Sequence, residues 1–224
     1  MPQGSVCGPI LYNIYVNDMS ECVKDCKIVM YADDARLYIA GNCIDANVKL
    51  ALELEKITQW ATVWQLKLNV KKCGVMHIGY NNPKYDYVLN TEILHTMLIL
   101  DDLGLVVDNK LHFSDYIGKI VGKAYRMCST ILNGFYTNRM EFLMALYKTY
   151  VRPILEYNTV IWAPSCMKYI DKCERVQRFF TKRLHGLWDV PYLKRLEILK
   201  LESLEERRLY NDVTCVYKLF LWSV

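Results

Sequence analysis

The spacing of apolar and polar positions changes character along the chain. Between Lys27 and Ala40, the runs Ile28-Val29-Met30 and Leu37-Tyr38-Ile39 flank Tyr31-Ala32-Asp33-Asp34-Ala35. β-Favouring residues on both sides of a short polar break predict two strands joined by a tight turn. Ahead of them, Gly8-Pro9 marks a turn, and Ile10, Leu11, Ile14 and Tyr15 then recur at helical spacing. From Asp45 to Gln65, the positions Leu50, Leu54, Ile57, Ala61 and Trp64 alternate in steps of four and three. That stripe predicts an amphipathic helix laid on a sheet. Short strands are expected at Val75–Ile78, Met97–Leu100 and Leu103–Val107, with a turn at Asp108-Asn109-Lys110. Asp101-Asp102 falls between two of these strands and reads as a solvated turn.

Beyond residue 110 the period is helical throughout. Ser114 is placed to cap a helix carrying Ile117, Ile120, Val121, Ala124, Cys128 and Ile131 on one face. Met140, Leu143, Met144, Tyr147 and Tyr150 mark a second helix, which Pro153 is expected to end. A third spans Ser165 to His185, with Ile170, Cys173, Gln177, Phe180 and Leu184 inside. Ser203 and Glu206 have the spacing of a capping box for the last helix, whose stripe is Leu209, Val213, Val216 and Phe220. The fold class expected is α+β. Residues 1–108 would form an antiparallel sheet backed by helices, and residues 109–224 an all-helical region.

Composition narrows the class. At 53% hydrophobic residues, 224 residues suffice for a folded core. No apolar run reaches the ~18–20 residues that span a bilayer, and the start does not resemble a signal peptide. Nine scattered cysteines without a second Cys/His pair at zinc spacing read as reduced thiols. Together these point to an intracellular protein, nuclear or cytoplasmic, with no membrane role. The net charge of +4 is mild. Its distribution is not, because Lys168, Lys172, Arg175, Arg178, Lys182 and Arg183 lie on one face of the third helix, against Asp171 and Glu174 alone. Such a face is either simply solvated or a contact for a phosphate backbone.

The candidate chemistry lies at the turn. Adjacent acids can share a site only where the backbone bends, and two close carboxylates repel unless a cation lies between them. Asp33 and Asp34 are therefore candidate ligands for a hard divalent ion such as Mg²⁺, with Mn²⁺ an alternative. An isolated Asp-Asp pair more often marks a solvated turn; the sequence on both sides decides between the readings.

On both sides the motifs resemble the reverse transcriptases of non-LTR, LINE-like and jockey-type retrotransposons. Pro2-Gln3-Gly4-Ser5-Val6 with Gly8-Pro9 and Tyr15-x-Asn17-Asp18 is similar to their second palm block, and Tyr31-Ala32-Asp33-Asp34 to their catalytic box. Leu68-Asn69-x-x-Lys72-Cys73 resembles the lysine block. Leu103-Gly104 with Asp108 and Leu111-His112-Phe113 resembles the primer-grip region. Tyr150-Val151-Arg152-Pro153-Ile154-Leu155-Glu156-Tyr157, Trp162-Ala163-Pro164, Val176-Gln177-Arg178-Phe179 and Leu201-x-Ser203-Leu204-Glu205-x-Arg207-Arg208 are similar to the thumb. Asp102 stands where the family usually has an aromatic, and Cys7 where it usually has leucine.

The resemblance implies an RNA-directed DNA polymerase, with a partial palm over 1–108 and a thumb over 109–224. It implies an RNA template, a DNA primer and deoxynucleotide triphosphates as partners; protein partners are not implied. Asp33 and Asp34 would be catalytic metal ligands, with Lys72 meeting the pyrophosphate leaving group. Gln3, Gly4 and Tyr31 would line the nucleotide and template pocket, and Leu103 and Gly104 would hold the primer end. The family's first catalytic aspartate lies upstream of the Pro-Gln-Gly loop. Because Met1 directly precedes that loop, a fragment inactive by itself is expected. A catalytically dead nucleic-acid-binding remnant and a domesticated scaffold are the alternatives.

Overall fold

A computed structural model describes residues 5–41, 44–80 and 82–222, and divides the chain into two compact units, residues 1–100 and 101–224.

In the first unit, helix α1 (Gly8–Val16) opens with Pro9 in its first turn, where a missing N–H costs nothing. A 3₁₀ segment (Asn17–Cys22) leads to β1 (Lys27–Tyr31) and β2 (Asp34–Tyr38), paired antiparallel from Lys27↔Tyr38 to Tyr31↔Asp34. The expected hairpin is there, with Ala32 and Asp33 alone as its loop. Helix α2 (Ile44–Val63) follows. Its packing face carries Ile57, Trp60 and Ala61, which close a core with Val16 and Met19; Ile28, Met30 and Leu37 of the hairpin pack against that core. Trp64, expected on the stripe, lies at the surface.

The rest of this unit departs from the expectation of one antiparallel sheet. β3 (Gly74–Val75), β4 (Val88–Leu89), β5 (Glu92–Ile93) and β6 (His95–Thr96) form two-residue ladders. β4 and β5 pair antiparallel across Asn90 and Thr91, whereas β3 and β6 pair in parallel. The strand expected at Val75–Ile78 stops at Val75. These ladders serve a small second core of Tyr87, Leu89 and Leu94, and the buried Tyr87 hydroxyl donates to Asn47 Oδ1 on α2 at 3.1 Å.

β7 (Ile99–Asp102) and β8 (Leu105–Asp108) pair around a turn at Leu103 and Gly104. Asp101 and Asp102 thus end a strand, correcting their reading as a turn. The two positive-φ residues that the bend requires are Leu103 (+49°) and Gly104 (+84°). The unit boundary lies ahead of residue 108 because Leu105 joins the helical core.

From Ser114 on, the described residues form helices and the loops between them, with no strand. The helices are α3 (Ser114–Gly134), α4 (Met140–Leu146), α5 (Arg152–Glu156), α6 (Thr159–Trp162), α7 (Met167–Lys182), α8 (Tyr192–Leu199) and α9 (Leu204–Trp222). The fold is α+β. The α3 face is buried as its spacing demands, but Ser114 does not cap it. Phe113 occupies the cap position, and the Asp108 carboxylate accepts from the N–H groups of Phe113 (2.8 Å), His112 and Lys110. Burial pushes the Asp108 carboxyl up, but those N–H donors outweigh it and hold the group below its ordinary value.

Pro153 does not end its helix either. A π turn (Tyr147–Val151) widens the backbone just ahead, and Pro153 falls in the first turn of α5. The wider turn places Val151 in the core and leaves Tyr150 outside. In the last helix the capping box forms, with Glu206 N–H donating to Ser203 Oγ at 3.1 Å and Ser203 N–H to Glu206 Oε2 at 2.9 Å. Its expected stripe is exposed, however, with Leu209 at 65% and Phe220 at 71%. The residues it buries are Leu204 and Arg208. Among the described residues no helix is long and apolar enough to cross a membrane, and all eight cysteines are free thiols.

Candidate active site

The hairpin tip is built from a strained turn. Ala32 has φ +52°, a left-handed conformation that disfavours any residue with a Cβ. The turn presents Tyr31, Asp33 and Asp34 to solvent together. By register, Tyr31 and Asp34 lie on one face of the hairpin with Val29 and Arg36. Arg36, half-buried, approaches the exposed Asp34 at 3.7 Å, a long pair of small energetic weight. Asp33 instead acts on α1. The Tyr12 hydroxyl is raised above its ordinary value by burial first, and then by the charges of Asp33 and Tyr15. Tyr12 is thus a neighbour of the site that motif reading passed over.

The chain fixes this hairpin to α2 at its other end. Glu53 is fully buried, and its Oε1 accepts from the Asp25 N–H (3.1 Å) and from Lys56 Nζ (2.9 Å). Burial raises its carboxyl, but the donors of Lys56, Asp25 and Lys24 prevail and hold it low. Glu53 therefore ties helix α2 to the two residues that lead into β1. It lies three residues after Leu50 and four before Ile57, so its spacing alone put it on the packing face.

Hard carboxylate oxygens at a solvent-open tip suit a divalent cation in kind. Two do not make a complete set, and among the described residues no group of three or more His, Cys, Asp or Glu could hold a metal.

The other candidates are dispersed. Gln3 and Gly4 lie outside the described residues. Lys72 ends the 3₁₀ turn Val70–Lys72 at the surface, and among the described residues no contact joins it to Asp33 or Asp34. Leu103 and Gly104 form the β7–β8 turn, where the Tyr157 hydroxyl donates to the Leu103 carbonyl at 2.8 Å. Five of the six basic residues share α7, with Arg183 at its C-terminal cap, but their partners differ. Arg178 lies 3.5 Å from Asp171 and over the Tyr192 ring, while Arg183 stacks on Phe179. Lys172 Nζ would be 3.5 Å from a Cβ placed on Gly118 of α3. Lys168 lies 5.7 Å from the Tyr169 ring centre, and it, Arg175 and Lys182 are exposed.

Beneath that face is a buried polar network that the sequence only half disclosed. Gln177, expected inside, receives the Tyr147 hydroxyl at 2.9 Å and donates to Tyr192 (3.1 Å) and to the Glu202 carbonyl (2.9 Å). Glu174, expected on the charged face, is buried instead. It accepts from the Tyr192 hydroxyl and from the Leu204 N–H, so the charge opposing the six bases is smaller than the sequence implied.

Comparison with known proteins identifies the family. The profile of the family described as "Reverse transcriptase (RNA-dependent DNA polymerase)" matches residues 1–118. The chain is 27% identical over 199 residues to the RNA-directed DNA polymerase from mobile element jockey of Drosophila melanogaster, covering 83% of this chain and 22% of that protein. It is 25% identical over 217 residues to the probable RNA-directed DNA polymerase from transposon BS of the same fly, covering 87% and 23%. The chain thus spans less than a quarter of the length of these curated relatives. No solved structure matches it. The profile covers more than half of the chain, which therefore belongs to the reverse transcriptase (RNA-dependent DNA polymerase) family, of the non-LTR retrotransposon kind.

Proposed function

We propose that these residues form part of an RNA-directed DNA polymerase that extends a DNA primer on an RNA template. Residues 1–108 would be a partial palm, and residues 109–224 a thumb and C-terminal region. The supporting observation is the Asp33-Asp34 hairpin tip, exposed and braced on α2, in a chain of this family. Members of the family use divalent metal ions. Mg²⁺ held by Asp33, the principal ligand, and Asp34 would activate the primer 3′-hydroxyl and stabilise the leaving pyrophosphate.

The chain's own groups divide the remaining work. Gln3, Gly4 and Tyr31 would bind the template and the incoming deoxynucleotide. Lys72 neutralises the leaving group, and the Leu103-Gly104 turn steadies the primer end. The exposed side of α7 holds the phosphate backbone without reading sequence, chiefly through Lys168, Arg175 and Lys182. The same face suits a second reading, in which the chain binds nucleic acid without catalysis.

Titration of labelled protein with Mn²⁺ tests the site. Paramagnetic broadening is expected to centre on Asp33 and Asp34 at millimolar concentration and to vanish in Asp33→Asn. Broadening centred on Asp101 and Asp102 would reject the assignment. Residues 1–224 alone are expected to show no primer extension, since a missing ligand group lowers such rates by roughly thousands-fold. Extension that Asp33→Asn abolishes would mean that another acid of this chain completes the set.

A further inference from the structure

We propose that Tyr157 is a positioning residue that locks the Leu103-Gly104 turn to the helical unit. The inference rests on the reading of that turn as the primer grip.

The turn is one that its own sequence does not favour. Leu103 adopts φ +49°, where a side chain is disfavoured, so something outside the two residues must hold the bend. Tyr157 is placed to do so in two ways. Its hydroxyl donates to the Leu103 carbonyl at 2.8 Å. Its ring edge lies 3.9 Å from where a Cβ on Gly104 would be, so ring and turn meet over the one residue that has no side chain.

Tyr157 is itself held from behind. The Trp162 indole, 1% exposed, donates to the Tyr157 carbonyl at 2.7 Å, and the Trp162 ring meets buried Tyr116 edge-on at 5.4 Å. The preceding residue, Glu156, accepts two bonds from the Arg207 guanidinium and has Arg152 at 3.8 Å. Arg207 also binds Glu202 at 3.1 Å. A continuous set of contacts therefore runs from the base of α9 through Glu156 and Tyr157 to the turn. Lys119 on α3 meets Asp101, at the end of β7, at 3.0 Å. That pair is exposed on both sides and too weak to hold the turn by itself. In this arrangement the motif Leu155-Glu156-Tyr157 has three separate tasks: Leu155 fills the core, Glu156 fixes the helix end, and Tyr157 aims the turn.

The test is Tyr157→Phe, which removes only the hydroxyl, in the 224-residue protein. Two readouts are combined: amide exchange at Gly104 and Leu105, and photo-cross-linking from the 3′-terminal base of a DNA primer annealed to RNA. The lock predicts about fivefold faster exchange at those amides, the loss expected for one hydrogen bond. It also predicts a cross-link focused on the turn in the wild type and spread over neighbouring residues in the variant, with hybrid affinity unchanged. A purely structural role would not move the cross-link at constant affinity. Unchanged exchange overturns the lock. Faster exchange with no cross-link to the turn in either protein overturns the primer-grip reading, and the positioning role with it.

Discussion

The two units bury their chains differently. Among the described residues, the helical unit has one continuous core of 21 buried hydrophobic side chains, from Leu105 to Leu204. The first unit has two separate cores, of five and three. Several apolar side chains of the helical unit are completely buried, Ile117, Tyr147 and Leu155 among them, whereas among the described residues of the first unit the only fully buried side chain is a carboxylate, Glu53. The residues with the clearest chemistry therefore rest on the thinner scaffold. Their geometry depends on a few specific polar ties, while the helical unit depends on packed volume.

Truncation of one core residue in each unit sets the contrast most sharply. Leu155→Ala should cost about 2–5 kcal/mol, toward the upper end, because fully packed surroundings cannot collapse into the space. Leu89→Ala, beside loops and two-residue ladders, should stay near the lower end of that range. Urea unfolding followed through amide signals of each unit measures both. Equal losses would remove the contrast.

A smaller effect is expected at the buried carboxylate. Glu53→Ala should cost about 1–3 kcal/mol by leaving the Asp25 N–H without its acceptor. The sign of its pH dependence comes from its environment. The folded carboxyl titrates below its ordinary value of 4.5, so its contribution is complete above that pH and is lost as pH falls through the folded value. Glu53→Gln should therefore be less stable near neutrality and lose less stability on acidification. An acid-unfolding profile identical to the wild type would place the tie elsewhere.

The smallest change concerns charge. Lys168→Gln, Arg175→Gln and Lys182→Gln together should flatten the log–log salt dependence of hybrid binding by roughly one unit per phosphate no longer neutralised. All sequences should be weakened alike. An unaltered slope would return this face to ordinary solvation.

What could be read from the sequence depended on the range of the forces involved. The hairpin at Lys27–Tyr38 and the helices α2, α3 and α7 were legible because strand alternation and helical spacing act over a few residues. The ladders at Val88–Leu89 and His95–Thr96 were not, since two residues carry no period. At the site, Asp33 and Asp34 stood out by motif, whereas Tyr12 and the tie from Glu53 to Asp25 depend on partners distant in sequence. Ser114 looked like a cap because the competing acceptor, Asp108, lies six residues earlier. The α9 stripe misled in the opposite way. Its spacing is that of a buried face, yet spacing alone cannot say whether a partner covers it.

The π turn at Tyr147–Val151 fixes the rotational phase of helix α5 and of Tyr157 beyond it. Each residue of an ordinary helix advances about 100° around the axis. The widened turn holds one residue more than an ordinary turn, so deleting one residue there would let i→i+4 bonds re-form while Leu155, Glu156 and Tyr157 keep facing the core, Arg207 and Leu103. The same deletion in the middle of α3, which has no such slack, would turn everything beyond it by about 100° and carry Ala124, Cys128 and Ile131 off the buried face. A single-codon loss is therefore absorbed at the π turn and disruptive in α3.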